Sequence, residues 1–284
     1  MTEDPLISGN KYLKLKYPLN YIKENCKKGI LTFGGAFSNH LIATAAACQY
    51  AGLESVGYVR TDVLDDNNPT LQACRQRGMQ LQCLSRTLYR ERYDRSFIEQ
   101  LQQQYPEFLI VPEGGSSEWG MQGVAEFNLE YTPAGKADLI VSATASGGTL
   151  AGIIKGSQTT AVTGIAVTAD SSLPGKIKQL LSSANVTCSW QLNTYYTGKG
   201  YARFTPELLQ FCRQLQQTSQ LSTEPVYTGK ALYGLFAMVQ NGEIAPGSRI
   251  SFFHTGGLQG LTGLYYRRLI SQDDFVLLSA TTAG

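Results

Sequence analysis

The sequence predicts an α/β protein built on parallel sheet. Short β-branched or apolar runs alternate with helix-patterned segments almost from end to end, as stacked βαβ units do. Several apolar runs end in glycine and small hydroxyl residues directly before a helix pattern, where parallel α/β folds turn from strand to helix. A chain of 284 residues with 43% hydrophobic content can bury such a core without staples.

Taken in order, "GILTF" is a strand, "GGAFSN" a turn and "HLIATAAACQYAG" an alanine-rich helix that Gly52 closes. "SVGYVR" supplies the next strand, and "LQACRQRG", "MQLQCL", "FIEQLQQQY" and "FLIVP" continue the alternation. "PEGGSSEWGMQG" leads into a helix, and its glycine-rich part is the best candidate for a crossing between two α/β lobes. The strand "DLIVSA", the loop "TASGGT", the helix "LAGIIKG" and the strand "VTGIAV" follow. The loop "TYYTGKGYARF", the helices "PELLQFCRQLQQ" and "GKALYGLFAMVQNG" and the strand "RISFFH" complete the pattern. No fixed-period repeat is present.

Composition removes several classes of function. A formal net charge of +2 is too small for a phosphate-backbone footprint, so no nucleic-acid partner is expected. No apolar run approaches bilayer length and the N-terminus lacks the order of a secretory signal, which leaves no membrane partner and the cytoplasm as the expected compartment. Cys26, Cys48, Cys74, Cys83, Cys188 and Cys212 are scattered, and His40 and His254 are the only histidines. No metal-ligand spacing results, and reduced, mostly buried thiols are expected.

The chemistry is expected at three strand ends, residues 34–39, 144–149 and 254–257. The carboxyl ends of parallel strands line the ligand crevice, so these loops should converge on one place. In the second loop Gly147 and Gly148 let backbone N–H groups approach an anion, while Ser146 and Thr149 add hydroxyls at a helix N-terminus. That suits phosphate, although a Gly-Gly loop by itself is as often a plain turn. It is neither a dinucleotide fingerprint nor a Walker motif, since the GxGxxG pattern and the Lys-Ser/Thr ending are absent. Near the N-terminus Lys11, Lys14, Lys16 and Lys23 form a cluster of a kind that is usually solvated charge.

"SGNKYLKLKY", "SNH", "SGGTLAG" and "EPVYTGKALYG", in this order over nearly the whole chain, resemble the pyridoxal-phosphate enzymes of the 1-aminocyclopropane-1-carboxylate deaminase and D-cysteine desulfhydrase family. The resemblance implies two lobes of three-layer αβα architecture with mostly parallel twisted sheets, the tryptophan synthase β-like fold. It implies a large cofactor-binding domain from residues 1–14 and 118–284 and a small α/β domain from 15–117. Pyridoxal 5'-phosphate is the implied cofactor, a small amino acid the substrate, and a homodimer the assembly.

In the same terms Lys11 is the Schiff-base lysine and Lys14, one helical turn on, reaches the cofactor phosphate. An imine needs an amine that can lose its proton, which desolvation and a neighbouring cation both favour. Lys16 and Lys23 stay solvated. The resemblance makes Ala145, Ser146, Gly147, Gly148 and Thr149 the phosphate cup and Asn39 the partner of the ring hydroxyl. It sets Ser38 near the substrate carboxylate and the proton path, a role compatible with capping the alanine-rich helix. Tyr227 matches the family's tyrosine beside the ring and Tyr201 a second, substrate-side tyrosine. For His40 a structural role is expected.

Deaminases of this family typically carry Glu after that first tyrosine and Leu between the His and the glycines of the last loop. The desulfhydrase type carries Thr at both, as do Thr228 and Thr255 here. A carboxylate would keep the ring nitrogen protonated, whereas a threonine hydroxyl holds it without forcing that proton. The implied reaction is α,β-elimination from a small D-amino acid, with Lys11 taking the α-proton. A cyclopropane-carboxylate deaminase and a non-catalytic cofactor binder are the alternatives. Two departures stand out. The motif commonly reads GNKxRKL, but position 13 is leucine, and relatives carry a further strand-bearing segment ahead of it. Without that segment an edge of the large domain would be unpaired or completed by a partner chain.

Overall fold

The computed structural model describes residues 9–198, 200 and 202–280. The chain divides into two compact units after Gly123. The first contains helix α1 (Asn10–Glu24), β1 (Gly29–Gly35), α2 (Asn39–Ala51), β2 (Glu54–Arg60), α3 (Pro69–Gln76), β3 (Met79–Leu84), α4 (Arg95–Gln104) and β4 (Phe108–Val111). Helix α5 (Glu118–Ala125) carries the boundary.

The four strands form one sheet in the order β3-β2-β1-β4, and every pairing is parallel. Parallel strands require crossovers, and their helices bury both faces of the sheet. On one face Ile30 packs with Leu15, Ile22, Ala46 and Val111. On the other, Leu31 and Phe33 pack with Val56, Tyr58, Leu101 and Phe108. Neighbouring residues of β1 thus serve opposite layers, as the two-residue pleat demands. Ser38 starts α2 by accepting from the N–H groups of His40 and Leu41, and Gly52 ends it at φ 67°.

The second unit opens with the antiparallel pair β5 (Tyr131–Thr132) and β6 (Gly135–Lys136). It continues through β7 (Leu139–Thr144), α6 (Gly148–Gly156), β8 (Ala161–Ala166), α7 (Leu173–Leu181), β9 (Trp190–Asn193) and α8 (Pro206–Ser219). Helix α9 (Thr228–Gln240), β10 (Ile250–Phe253), α10 (Gly260–Tyr266) and α11 (Gln272–Ser279) complete it. Its parallel sheet runs β10-β7-β8-β9. Val141, Ala143 and Ile165 meet Leu232, Leu235 and Met238 of α9 on one face. Leu150 of α6 lies against Gly164 on the other.

The alternation read from the sequence is therefore present in both units. The elements it did not name are short or weakly patterned: β9 is a polar four-residue edge strand, and α7 carries Pro174 and Gly175 in its first turn. The division also differs from the expected one. Residues 10–14 belong to a continuous α1 whose Leu15 and Ile22 are core residues of the first unit, and the boundary falls after Gly123 instead of after 117. Cys48, Cys74, Cys188 and Cys212 are buried free thiols, while Cys26 and Cys83 are exposed.

Candidate active site

In the first unit the lysines separate sharply. Lys16 and Lys23 are exposed, Lys11 is half-buried with its Nζ donating to Asn10 Oδ1 at 2.7 Å, and Lys14 is buried. Lys14 Nζ donates to the Gly114 carbonyl at 2.9 Å. Burial first, and the charge of Lys11 second, hold the Lys14 ammonium well below the usual lysine range.

His40 sits among the same charges. Thr32 gives its one hydroxyl hydrogen to the Val111 carbonyl at 2.7 Å, so His40 Nε2, 2.9 Å from Thr32 Oγ1, is the donor of that pair. His40 Nδ1 then bears a lone pair and has no hydrogen-bond partner among the described residues. Burial, followed by the charges of Lys11 and Lys14, pushes its pKa down to about 3, so the ring is neutral. Ser38 Oγ lies close to the chain at Gly34, where a Cβ would stand 2.6 Å from it. Asn39 is the half-buried first residue of α2.

In the second unit the loop after β7 leads into α6 without a side-chain cap. Gly147 takes φ 86°, and a Cβ there would lie 2.9 Å from Ile177 Cγ1, so space and backbone both reserve the position for glycine. The N-cap position is Gly147, which has no side chain to cap the first turn, and the first backbone N–H groups of a helix have no partner within it. Ala145 and Tyr227 pack against one core cluster, which brings this loop and the start of α9 onto the same side of the sheet.

Tyr227 and Thr228 open α9 under a carboxylate. Glu224 accepts from the N–H groups of Val226 at 2.6 Å, Tyr227 at 2.9 Å and Thr228 at 2.8 Å, and from Thr228 Oγ1 at 3.2 Å. Two residues into α9, Lys230 Nζ donates to the carbonyls of Val167 and Thr197, each at 3.0 Å. His254 ties the last loop to this corner: its Nε2 lies 3.0 Å from the Ser222 carbonyl, and its Nδ1 accepts from the Gly256 N–H at 3.2 Å. Thr255 is buried in that loop.

In the second unit the start of α6 suits a phosphate monoester. Backbone donors without a side-chain cap and the flanking hydroxyls of Ser146 and Thr149 favour a dianion. Among the described residues no cluster of His, Cys, Asp or Glu could hold a metal. Buried Cys48, Cys74 and Cys212 have thiols pushed up to about 12 and are inert as nucleophiles.

A family model described as "Pyridoxal-phosphate dependent enzyme" matches residues 4–256. The chain belongs to the pyridoxal-phosphate-dependent enzymes. Within them, it is 32% identical over 281 residues to the Arabidopsis thaliana bifunctional D-cysteine desulfhydrase/1-aminocyclopropane-1-carboxylate deaminase, covering 90% of this chain and 70% of that one. A Pyrococcus horikoshii protein provisionally described as a 1-aminocyclopropane-1-carboxylate deaminase is 30% identical, covering 93% of this chain and 84% of its own. A solved structure of an ACC deaminase homologue superposes with TM-score 0.72 at 26% identity, covering 92% of this chain and 84% of that one. The deaminase and desulfhydrase branch, the tryptophan synthase β-like fold and dependence on pyridoxal phosphate are thereby established for this chain.

The first unit carries Lys11, Lys14, Ser38 and Asn39, and the second carries residues 145–149, Tyr227, Thr228 and Thr255. Tyr201 lies outside the described residues. Glu224 and Lys230 were not singled out from the sequence, although both fall in "EPVYTGKALYG". An acidic residue four positions before a helix start was the available signal for Glu224. For Lys230 there was none, since a lysine in a helix ordinarily faces water.

Proposed function

We propose that this enzyme catalyses α,β-elimination from a small D-amino acid such as D-cysteine, releasing pyruvate, ammonia and sulfide. Pyridoxal phosphate, when bound, supplies an electron sink conjugated to the substrate α-carbon. The backbone N–H groups of 147–149 with the hydroxyls of Ser146 and Thr149 hold its phosphate, and Lys14 is the buried amine that answers the same charge. Asn39 holds the ring hydroxyl and Tyr227 lies beside the ring. Lys11 Nζ would be the amine that holds the cofactor and, when free of it, the base that takes the proton from the substrate α-carbon. Ser38 orients the substrate carboxylate, and Tyr201 is assigned to the substrate side.

The preference for D-cysteine over the cyclopropane substrate rests on one observation: Thr228 and Thr255 occupy the two positions that separate the types. Glu224 supports it, because glutamate at 228 would put a second buried carboxylate where the Thr228 hydroxyl lies 3.2 Å from the first. The relatives carry both activities in their names, so 1-aminocyclopropane-1-carboxylate deamination is the second reading. A cytoplasmic homodimer is the proposed working form.

The test is the purified protein loaded with pyridoxal phosphate and assayed for pyruvate and sulfide. D-cysteine is expected to yield both and L-cysteine and the cyclopropane substrate far less. A visible band from the lysine-bound cofactor should be present and absent from Lys11→Ala. Pyruvate formed faster from the cyclopropane substrate would select the deaminase, and a band without turnover of any of the three would select a non-catalytic binder.

A further inference from the structure

The glycine-rich segment "PEGGSSEWG" does more than join β4 to α5. Lys14 runs through a slot that two of its glycines leave open. A Cβ on Gly115 would stand 3.2 Å from Lys14 Cβ and 3.5 Å from His40 Cε1, and a Cβ on Gly120 would stand 3.5 Å from Lys14 Cγ and collide with the Gly115 carbonyl. At the end of the slot Lys14 Nζ meets the Gly114 carbonyl. Gly114 and Gly115 are both left-handed, at φ 69° and φ 63°. Two successive glycines have little conformational preference of their own, so the direction of that carbonyl is fixed by what grips the turn.

The grip is on Glu113. Arg92 Nε donates to Glu113 Oε2 at 2.8 Å, and Arg92 Nη1 donates to the Tyr89 carbonyl at 2.7 Å. The guanidinium also lies over the Tyr89 ring, 4.5 Å from its centroid, and Tyr89 is a buried core residue. The two side chains are 17% and 31% exposed, so the pair is better shielded from water than a surface ion pair. A guanidinium anchored on the core thus holds the residue next to the carbonyl.

We propose that Arg92 is a positioning residue for the lysine pair of α1: through Glu113 it fixes the Gly114 carbonyl on Lys14 and so keeps the Lys14 charge beside Lys11. This rests on the proposed role of Lys11 as the amine that holds the cofactor, and it needs no contact between Lys14 and any ligand. Lys11 is the half-buried, accessible member of the pair, and the two lie one turn apart on the same face of α1. Each charge disfavours the other. A carbonyl that accepts from the buried Lys14 favours its ammonium, and that ammonium favours an uncharged Lys11, the nucleophilic form. The other titratable groups around Lys14 are His40 on α2, whose ring is neutral, Glu113 itself, and Glu118 at the exposed start of α5.

The experiment follows lysine side-chain 13C resonances against pH in the cofactor-free protein, with Lys14→Met to assign Lys14, in the wild type, Arg92→Gln, Glu113→Gln and the double variant. Both single variants should lower the Lys14 midpoint by about one pH unit, the worth of a hydrogen bond to a charged group, and the double variant should lower it no further. A plain field effect behaves otherwise. Arg92→Gln leaves an unpaired carboxylate, which would raise the midpoint, whereas Glu113→Gln leaves an unpaired guanidinium, which would lower it. Opposite shifts in the two single variants, or no shift in either, would overturn the proposal. Glu113→Asp keeps the charge but falls short of Arg92, and it serves where Arg92→Gln does not fold: it should lower the midpoint too, and an unmoved one would overturn the proposal. On addition of pyridoxal phosphate at pH 7, the visible band should form several-fold more slowly in both single variants and recover as the pH is raised. A lowered Lys14 midpoint with the band forming at the wild-type rate would overturn the link to Lys11. No band in the wild type would overturn the place of Lys11 in the cofactor site, and the Lys14 midpoints would still decide whether Arg92 positions Lys14.

Discussion

Two buried polar clusters, one in each unit, are built on opposite terms. In the first unit, among the described residues, Lys14 uses one of its three donors on a single carbonyl and His40 leaves Nδ1 without a partner, and burial drives both towards their neutral forms. In the second unit Glu224 is met by donors on both oxygens and Lys230 by two carbonyls. Buried polar groups ordinarily find their partners within the fold, and a buried group short of them marks a place where function outweighs stability. The Glu224 and Lys230 cluster completes its scaffold without help. The Lys14 ammonium is short of acceptors, which is what an anionic ligand brings.

The contrast is broken most directly with acid. His40 has a folded pKa of about 3 against an ordinary value near 6.5. The folded state binds fewer protons than the unfolded one in that window, so the stability is fully present above about pH 6.5 and is lost as pH falls towards 3. The loss is about 1.4 kcal/mol per pH unit across the window, about 5 kcal/mol in all. Urea unfolding at a series of pH values should show this slope in the wild type and a shallower one in His40→Gln, whose amide can still donate to Thr32. Equal slopes in the two proteins would mean that His40 is not held neutral by its surroundings.

Paired substitutions to methionine test the same contrast at the lysines. Lys230→Met leaves the carbonyls of Val167 and Thr197 without their donor, at a cost of about 2 to 4 kcal/mol for two stranded acceptors. Lys14→Met removes an amine that donates to the Gly114 carbonyl from a site that disfavours its charge, and methionine fills a similar volume. It should cost less than about 1.5 kcal/mol in cofactor-free protein. Denaturant midpoints with matched slopes measure both. If Lys14→Met proved the more damaging, Lys14 would be scaffold and the first cluster no site.

The same residues explain what the sequence made legible. The parallel α/β class was legible in runs such as "GILTF" and "DLIVSA" alternating with helices, because burial of both faces writes itself into composition, whereas the strand order emerges only in the fold. The loop 144–149 was legible because glycine at 147 answers a local backbone need. Lys14 could be placed through its motif, but its isolation could not, since that depends on Gly114 arriving from 100 residues away. Glu224 reads as an ordinary polar residue until α9 is folded and its first N–H groups converge on one carboxylate. Lys230 is hidden for the same reason: its partners are carbonyls, which every residue has.

The smallest expected effect lies at the start of α2. Ser38 Oγ accepts from His40 N–H at 3.2 Å and Leu41 N–H at 3.4 Å, both long for hydrogen bonds, whereas the start of α9 is held by a carboxylate at 2.6 to 2.9 Å. Replacing a serine cap by alanine costs about 0.5 to 2 kcal/mol, and these distances put Ser38→Ala at about 0.5 kcal/mol in urea unfolding. A cap this weak at a helix start beside Lys11 and Lys14 leaves the hydroxyl free to serve a ligand at small expense to the fold. A cost of about 2 kcal/mol would instead make Ser38 as much a structural cap as Glu224, and the difference between the two helix starts would disappear.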